Sequence, residues 1–138
     1  MIQFLEQQDY EKAAQLAANY NLLNRSGAGR VFYITENSET LGAGALTLDE
    51  NGVSLSLRAA ARDDGQDLKD FLLRSLLNVC RGFKDTGFLS NAVIFISAPS
   101  AQYCGKEVLQ KFGFTPHANG GFTAMPAQIR LGGCCGGQ

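Results

Sequence analysis

Between residues 53 and 58 apolar and polar positions alternate strictly, with Val53, Leu55 and Leu57 set against Ser54, Ser56 and Arg58. A period of two places the apolar set on one face of a β-strand. Val31-Phe32-Tyr33-Ile34-Thr35 has the β-branched and aromatic content of a second strand, and Leu41 to Leu48 reads as a third, loosened by Gly42 and Gly44. Polar Glu36 to Glu39 separates the first pair, and Asp49-Glu50-Asn51-Gly52, with its hairpin-forming Asn-Gly, separates the second. Residues 31 to about 60 thus predict a three-stranded antiparallel meander. Ahead of it, Met1 to Leu5 predicts a short strand. Asp9 then reads as the N-cap of a helix with Tyr10, Ala13, Ala14, Leu16, Ala17 and Tyr20 at helical spacing, and Asn24 to Arg30 as a loop.

The period then changes. Leu68, Phe71, Leu72, Leu76, Val79, Cys80 and Phe83 recur at three and four residues, the mark of an amphipathic helix. Asn91 to Ser97 follows, and its uninterrupted Ala92-Val93-Ile94-Phe95-Ile96 predicts a central strand covered on both faces. Strand, helix, buried strand is a βαβ crossover, so the strands flanking the helix should be parallel. Pro99 and Ser100 open a further helix, predicted over Ala101 to Phe112 with Val108, Leu109 and Phe112 inward and Gly113 as a left-handed cap. Asn119-Gly120-Gly121 predicts a turn between two late strands, and Pro126 marks the last of them as an edge.

The 138 residues make one domain's length, and 45% apolar content is enough for a core. We expect a single domain over residues 1–131, with 132–138 as a flexible Gly/Cys tail. A net charge of −1 argues against a nucleic-acid binder and against a polybasic membrane surface. No apolar run approaches the length that spans a bilayer, and the N-terminus lacks the basic and apolar regions of a signal peptide. Four unevenly spaced cysteines do not make a disulfide scaffold, so a cytoplasmic setting is expected.

The order of these elements resembles the GNAT superfamily, the GCN5-related N-acetyltransferases. Arg62-Asp63-Asp64-Gly65-Gln66-Asp67 resembles the family's Arg/Gln-x-x-Gly-x-Gly/Ala loop, and Lys111-Phe112-Gly113-Phe114 resembles its helix-end Lys-x-Gly-Phe. Gly42 also sits where the family has a glycine. The resemblance covers residues 1 to about 130 and implies an α+β fold: a mixed central sheet with an antiparallel N-terminal meander, a βαβ crossover and a C-terminal hairpin. It also implies transfer of an acetyl or other acyl group from acyl-CoA to an amine, with acetyl-CoA as co-substrate. The backbone of Leu57, Arg58 and Ala59 would meet the acyl-pantetheine. The amides around Arg62, Gly65, Gln66, Asp67 and Leu68 would meet the diphosphate. A helix N-terminus suits that task, carrying unpaired N–H groups and about half a positive charge.

The chain departs from the family pattern at several positions. The last small residue of the loop is Asp67, and four aspartates accompany three basic residues over 58–70. A carboxylate there either weakens diphosphate binding or caps the helix in place of an anion. Where the family carries an acid tyrosine and an upstream asparagine, this chain has Leu109 and Gln102; Tyr103 is the substitute donor at hand. Cys134-Cys135, between glycine pairs, has the softness to hold a metal or to form a vicinal disulfide. His117 and the Arg25–Arg30 loop read as surface features. Three functions are therefore carried forward: an acyl-CoA N-acyltransferase acting on a small-molecule or peptide amine, an inactive binding module of the same fold, and a thiol or metal carrier using the tail. Edge strands leave room for a homodimer.

Overall fold

In the computed structural model, which describes residues 1–22, 29–60, 68–118 and 120–131, the chain runs β1 (Gln3–Glu6), α1 (Tyr10–Asn19), β2 (Gly29–Glu36), β3 (Glu39–Asp49), β4 (Gly52–Ala59), α2 (Leu68–Gly82), β5 (Ile94–Ile96), α3 (Ala98–Cys104), α4 (Lys106–Lys111), β6 (Thr115–Pro116) and β7 (Phe122–Ala124). Short 3-10 turns at Phe83–Asp85, Gly87–Asn91 and Pro126–Gln128 link the elements. One sheet joins all the described strands, in the order β1-β2-β3-β4-β5-β7-β6. The β4–β5 pair is parallel and every other neighbouring pair is antiparallel. The meander, the crossover and the late hairpin are thus all present. No described helix is long and apolar enough to cross a membrane.

The turns follow their local chemistry. Asn37 and Ser38, both at positive φ, form the two-residue connection between Glu36 and Glu39, the left-handed pair that matches strand twist. In the next hairpin Asp49 pairs with Gly52, so Glu50 and Asn51 make the turn and Gly52 begins β4. The Asp9 carboxylate accepts from the Lys12 N–H at 3.0 Å and caps α1.

The two faces of the sheet are unequal. Phe32, Ile34, Leu46, Val53, Leu55, Leu57, Ile94, Ile96 and Phe122 point to one side and pack with α2, α3 and α4. On α2 this buries Leu68, Leu72, Leu73, Leu76, Leu77 and Cys80. The opposite face has a smaller cluster, where Ala17 and Leu22 meet Val31, Ala43 and Ala45 beneath α1.

Several expectations need correction. Tyr10 and Ala14 are exposed, so the inner face of α1 is Ala13, Leu16, Ala17 and Tyr20. Gly29 and Arg30 belong to β2 rather than to a loop. Within α2, Phe71 and Val79 are only half-buried, while Leu73 and Leu77 complete the core. The helix expected over Ala101–Phe112 is two helices. Gly105 has φ +96°, a value no helix accommodates, and breaks it. Strand β5 is shorter than Asn91–Ser97, and Phe95 on its second face is half-buried, because α1 packs over β2 and β3. The last strand, β7, lies inside the sheet and ends before Pro126. The edge strand is β6, which carries Pro116.

Candidate functional site: the end of β4

Strand β4 outruns its parallel partner. Val53, Ser54 and Leu55 pair with Ile94, Phe95 and Ile96, after which β5 turns away into α3 while β4 continues to Ala59. On its other side β4 stays paired with β3 as far as Gly42–Ala59. A Cβ on Gly42 would lie 2.9 Å from the Ala59 Cα and the Arg58 carbonyl oxygen, so only glycine lets the two strands close there. Among the described residues, the end of β4 is therefore held by a strand on one side only.

Side chains of α3 reach into that vacated position. The Leu57 N–H donates to Ser100 Oγ at 3.4 Å. The Ala59 N–H donates to the Tyr103 hydroxyl at 2.9 Å, and the same hydroxyl donates to the Ala59 carbonyl at 3.3 Å. Ser100 and Tyr103, three residues apart, share one face of their helix. Two cations flank the tyrosine: the Arg58 guanidinium and the Lys69 ammonium each lie 5.3 Å from the ring centroid.

Some of the sequence-predicted residues lie at this edge and others do not. Leu57, Arg58 and Ala59 lie where β4 loses β5, with Leu57 buried and Arg58 exposed. Leu68 opens α2 and is buried. Arg62, Gly65, Gln66 and Asp67 lie outside the described residues, as do Cys134 and Cys135 and residues 25–28 of the early loop. Gln102 is exposed on α3. Leu109 is fully buried in the core, where no hydroxyl is wanted. Asp70 pairs with Arg74 at 2.9 Å, and Arg30 pairs with Glu6 at 2.8 Å. His117 is exposed, with its ring edge-on to Phe95 at 6.0 Å.

Sequence reading missed Ser100 and Lys69. The signal available was the three-residue spacing of Ser100 and Tyr103 directly after a strand, and the position of Lys69 in the first turn of α2.

Thiol chemistry is weak among the described residues. Burial pushes the thiols of Cys80 and Cys104 up to about 12, against opposing effects of Arg30 and Lys69 respectively, so both stay protonated at neutral pH. No three His, Cys, Asp or Glu side chains come together there in a way that would hold a metal.

No protein-family model matches the chain, and no curated protein matches it in sequence. Solved structures do match. YhhK from E. coli, named as a candidate N-acetyltransferase and solved bound to coenzyme A, aligns with TM-score 0.58 and 16% identity over 91% of this chain and 98% of its own. An acyl-CoA N-acyltransferase from Pseudomonas aeruginosa aligns with TM-score 0.57 and 11% identity over 89% and 97%. A KacTA–DNA complex contributes a third match, TM-score 0.58 and 13% identity over 91% and 94%. Identities this low carry architecture and leave activity open, and the architecture they establish is specific: this chain has the fold of the GNAT N-acyltransferases.

Proposed function

We propose that the chain is an acyl-CoA-dependent N-acyltransferase, with acetyl-CoA as its simplest co-substrate. The observation that carries this reading is the edge of β4 from Ser56 to Ala59, which β5 abandons and which faces α3. An extended chain bearing amides pairs with such an edge as an added strand, and the pantetheine arm of CoA is a chain of that kind. Arg58 and Lys69 bring positive charge to the same place, which suits a diphosphate. Loop residues Arg62, Gly65, Gln66 and Asp67, with Leu68, are the proposed diphosphate contacts, and Gln102 is proposed as a further contact to the cofactor. The solution of YhhK with coenzyme A supports a CoA-type ligand for this fold.

The reaction follows from that placement. A neutral amine attacks the thioester carbonyl, the C–N bond forms and the C–S bond breaks. The nitrogen loses a proton and the CoA thiolate gains one. Positioning and polarisation of the carbonyl by backbone N–H groups of β4 supply much of the rate. Leu109 offers no proton. We assign the acid role to Tyr103, whose hydroxyl lies against Ala59 in the free protein and whose ring is kept beside the β4 edge by Arg58 and Lys69. The acceptor is an amine on a small molecule or peptide, and the proposed setting is cytoplasmic. The mildly acidic chain gives no footing for nucleic acid; the KacTA–DNA complex makes that a point to test by mobility shift.

Titration calorimetry with CoA and acetyl-CoA, followed by thiol release with a panel of amines, tests the reading. Binding with amine-dependent thiol release is expected, and turnover in Tyr103→Phe should fall about 100-fold, the usual scale for a general acid. Absence of binding up to millimolar ligand overturns the reading. Binding without turnover favours a second one, an inactive module of the same fold. The burial of Leu109 at the family's tyrosine position and the occupation of Ala59 by Tyr103 speak for that alternative.

A further inference from the structure

In a β-strand the N–H and C=O of one residue point the same way, so a neighbouring strand bonds to both at once. At Ala59 both are taken by a single atom, the Tyr103 hydroxyl, which accepts from the amide at 2.9 Å and donates to the carbonyl at 3.3 Å. This hydroxyl stands in for a missing strand. The neighbouring contact between the Leu57 N–H and Ser100, at 3.4 Å, is at the limit of a hydrogen bond and weaker than the shorter bond at Ala59. Tyr103 and Ala59 are both half-buried, so water can reach the groups when they part.

We propose that Tyr103 is a displaceable plug on the β4 edge: its hydroxyl holds the two backbone groups of Ala59 that an extended, amide-bearing ligand must pair with, so arrival of the ligand and release of the tyrosine are one exchange. The proposal rests on the acyl-CoA reading and adds a regulation of that site. Because one set of hydrogen bonds replaces another, pairing at Ala59 contributes little net affinity in the wild-type protein. The Arg58 and Lys69 contacts to the ring hold the tyrosine near the edge, which favours its return when the ligand leaves. Affinity then comes from the rest of the ligand, and removing the plug favours only ligands that carry a pantetheine arm.

Tyr103→Phe tests this with little risk to folding, since it keeps the ring and its contacts with both cations. The variant should bind CoA about tenfold more tightly than the wild type, a change of 1.4 kcal/mol and the size of one net hydrogen bond. Binding of 3′,5′-ADP, which lacks the pantetheine arm, should stay within about twofold. By hydrogen exchange, the Ala59 amide should be protected in the free wild type, exposed in the free variant, and protected again when the variant holds CoA. CoA affinity equal in the two proteins, or a gain shared equally by 3′,5′-ADP, overturns the plug and leaves the acyl-CoA reading standing. Failure of both proteins to bind either ligand overturns the acyl-CoA reading and the plug together.

Discussion

Gly52 has φ +134°, and a Cβ built on it would lie 2.2 Å from the Val93 carbonyl oxygen. That oxygen accepts from the Val53 N–H at 2.8 Å, in the contact that starts the parallel pairing of β4 with β5. A side chain at this position must therefore either strain the backbone or push β5 away. Gly52→Ala should cost about 3 kcal/mol or more, beyond the ordinary range for a surface turn, by urea unfolding. A loss below about 0.5 kcal/mol would show that the turn relaxes without disturbing the pair. The same residue shows what local sequence can and cannot say. Asn51-Gly52 announced a hairpin, and the hairpin is there. That the glycine is needed for an approach to Val93, far along the chain, was not legible, because nothing local reports a neighbour brought in by the fold.

At the scale of elements, periodicity was informative wherever one face is buried. Val53, Leu55 and Leu57 do share one buried face, although Ser56 on the other face is buried as well, and α2 sits where its leucines put it. Leu73 and Leu77 widen the buried stripe of α2 beyond the positions that the three-and-four spacing marks. The α3–α4 break escaped because Gly105 alone, in a run of good helix formers, gives no sign of its φ. Leu57 to Ala59 were singled out by the resemblance and by no local pattern, and the arrangement there was not legible at all, since Ser100 and Tyr103 reach β4 from another helix. Pairing of β1 with β2 supplies a test at this scale. Arg30 bonds Glu6 through two nitrogens, at 2.9 and 2.8 Å, and this hydrogen bonding lowers the Glu6 pKa below its ordinary value against a smaller opposing effect of burial. A lowered carboxylate adds stability that is present above the unfolded value of 4.5 and lost as pH falls through the folded one. The Arg30 side chain is 48% exposed, so solvent screening limits the contribution to about 1 kcal/mol at most. Glu6→Gln should lower stability slightly at pH 7, with the difference from wild type shrinking as pH falls from 4.5 through the lowered folded value, by chemical unfolding across a pH series. A difference that persists unchanged at low pH would assign the effect to packing.

Across the whole molecule a single sheet connects β1 at one edge to β6 at the other, and the core on the α2 face draws on β2, β3, β4, β5, β7 and the three later helices. The proposed site lies at the middle of that sheet, where the meander meets the crossover, so a ligand bound there touches elements that share one sheet and one core. Binding energy should then appear in global stability. At a ligand concentration of 100 times Kd the gain is about 2.7 kcal/mol. For a domain of this size each kcal/mol raises Tm by roughly 4 °C, so saturating CoA should lift the transition by about 10 °C while keeping it single. The slope of Tm against ligand concentration gives Kd independently of calorimetry, and the two values should agree. A ligand-bound protein that melts in two steps would mean that β5, with only the three residues Ile94–Ile96 in the sheet, does not carry the coupling from β4 to β7, and that the C-terminal hairpin and α4 form a unit of their own.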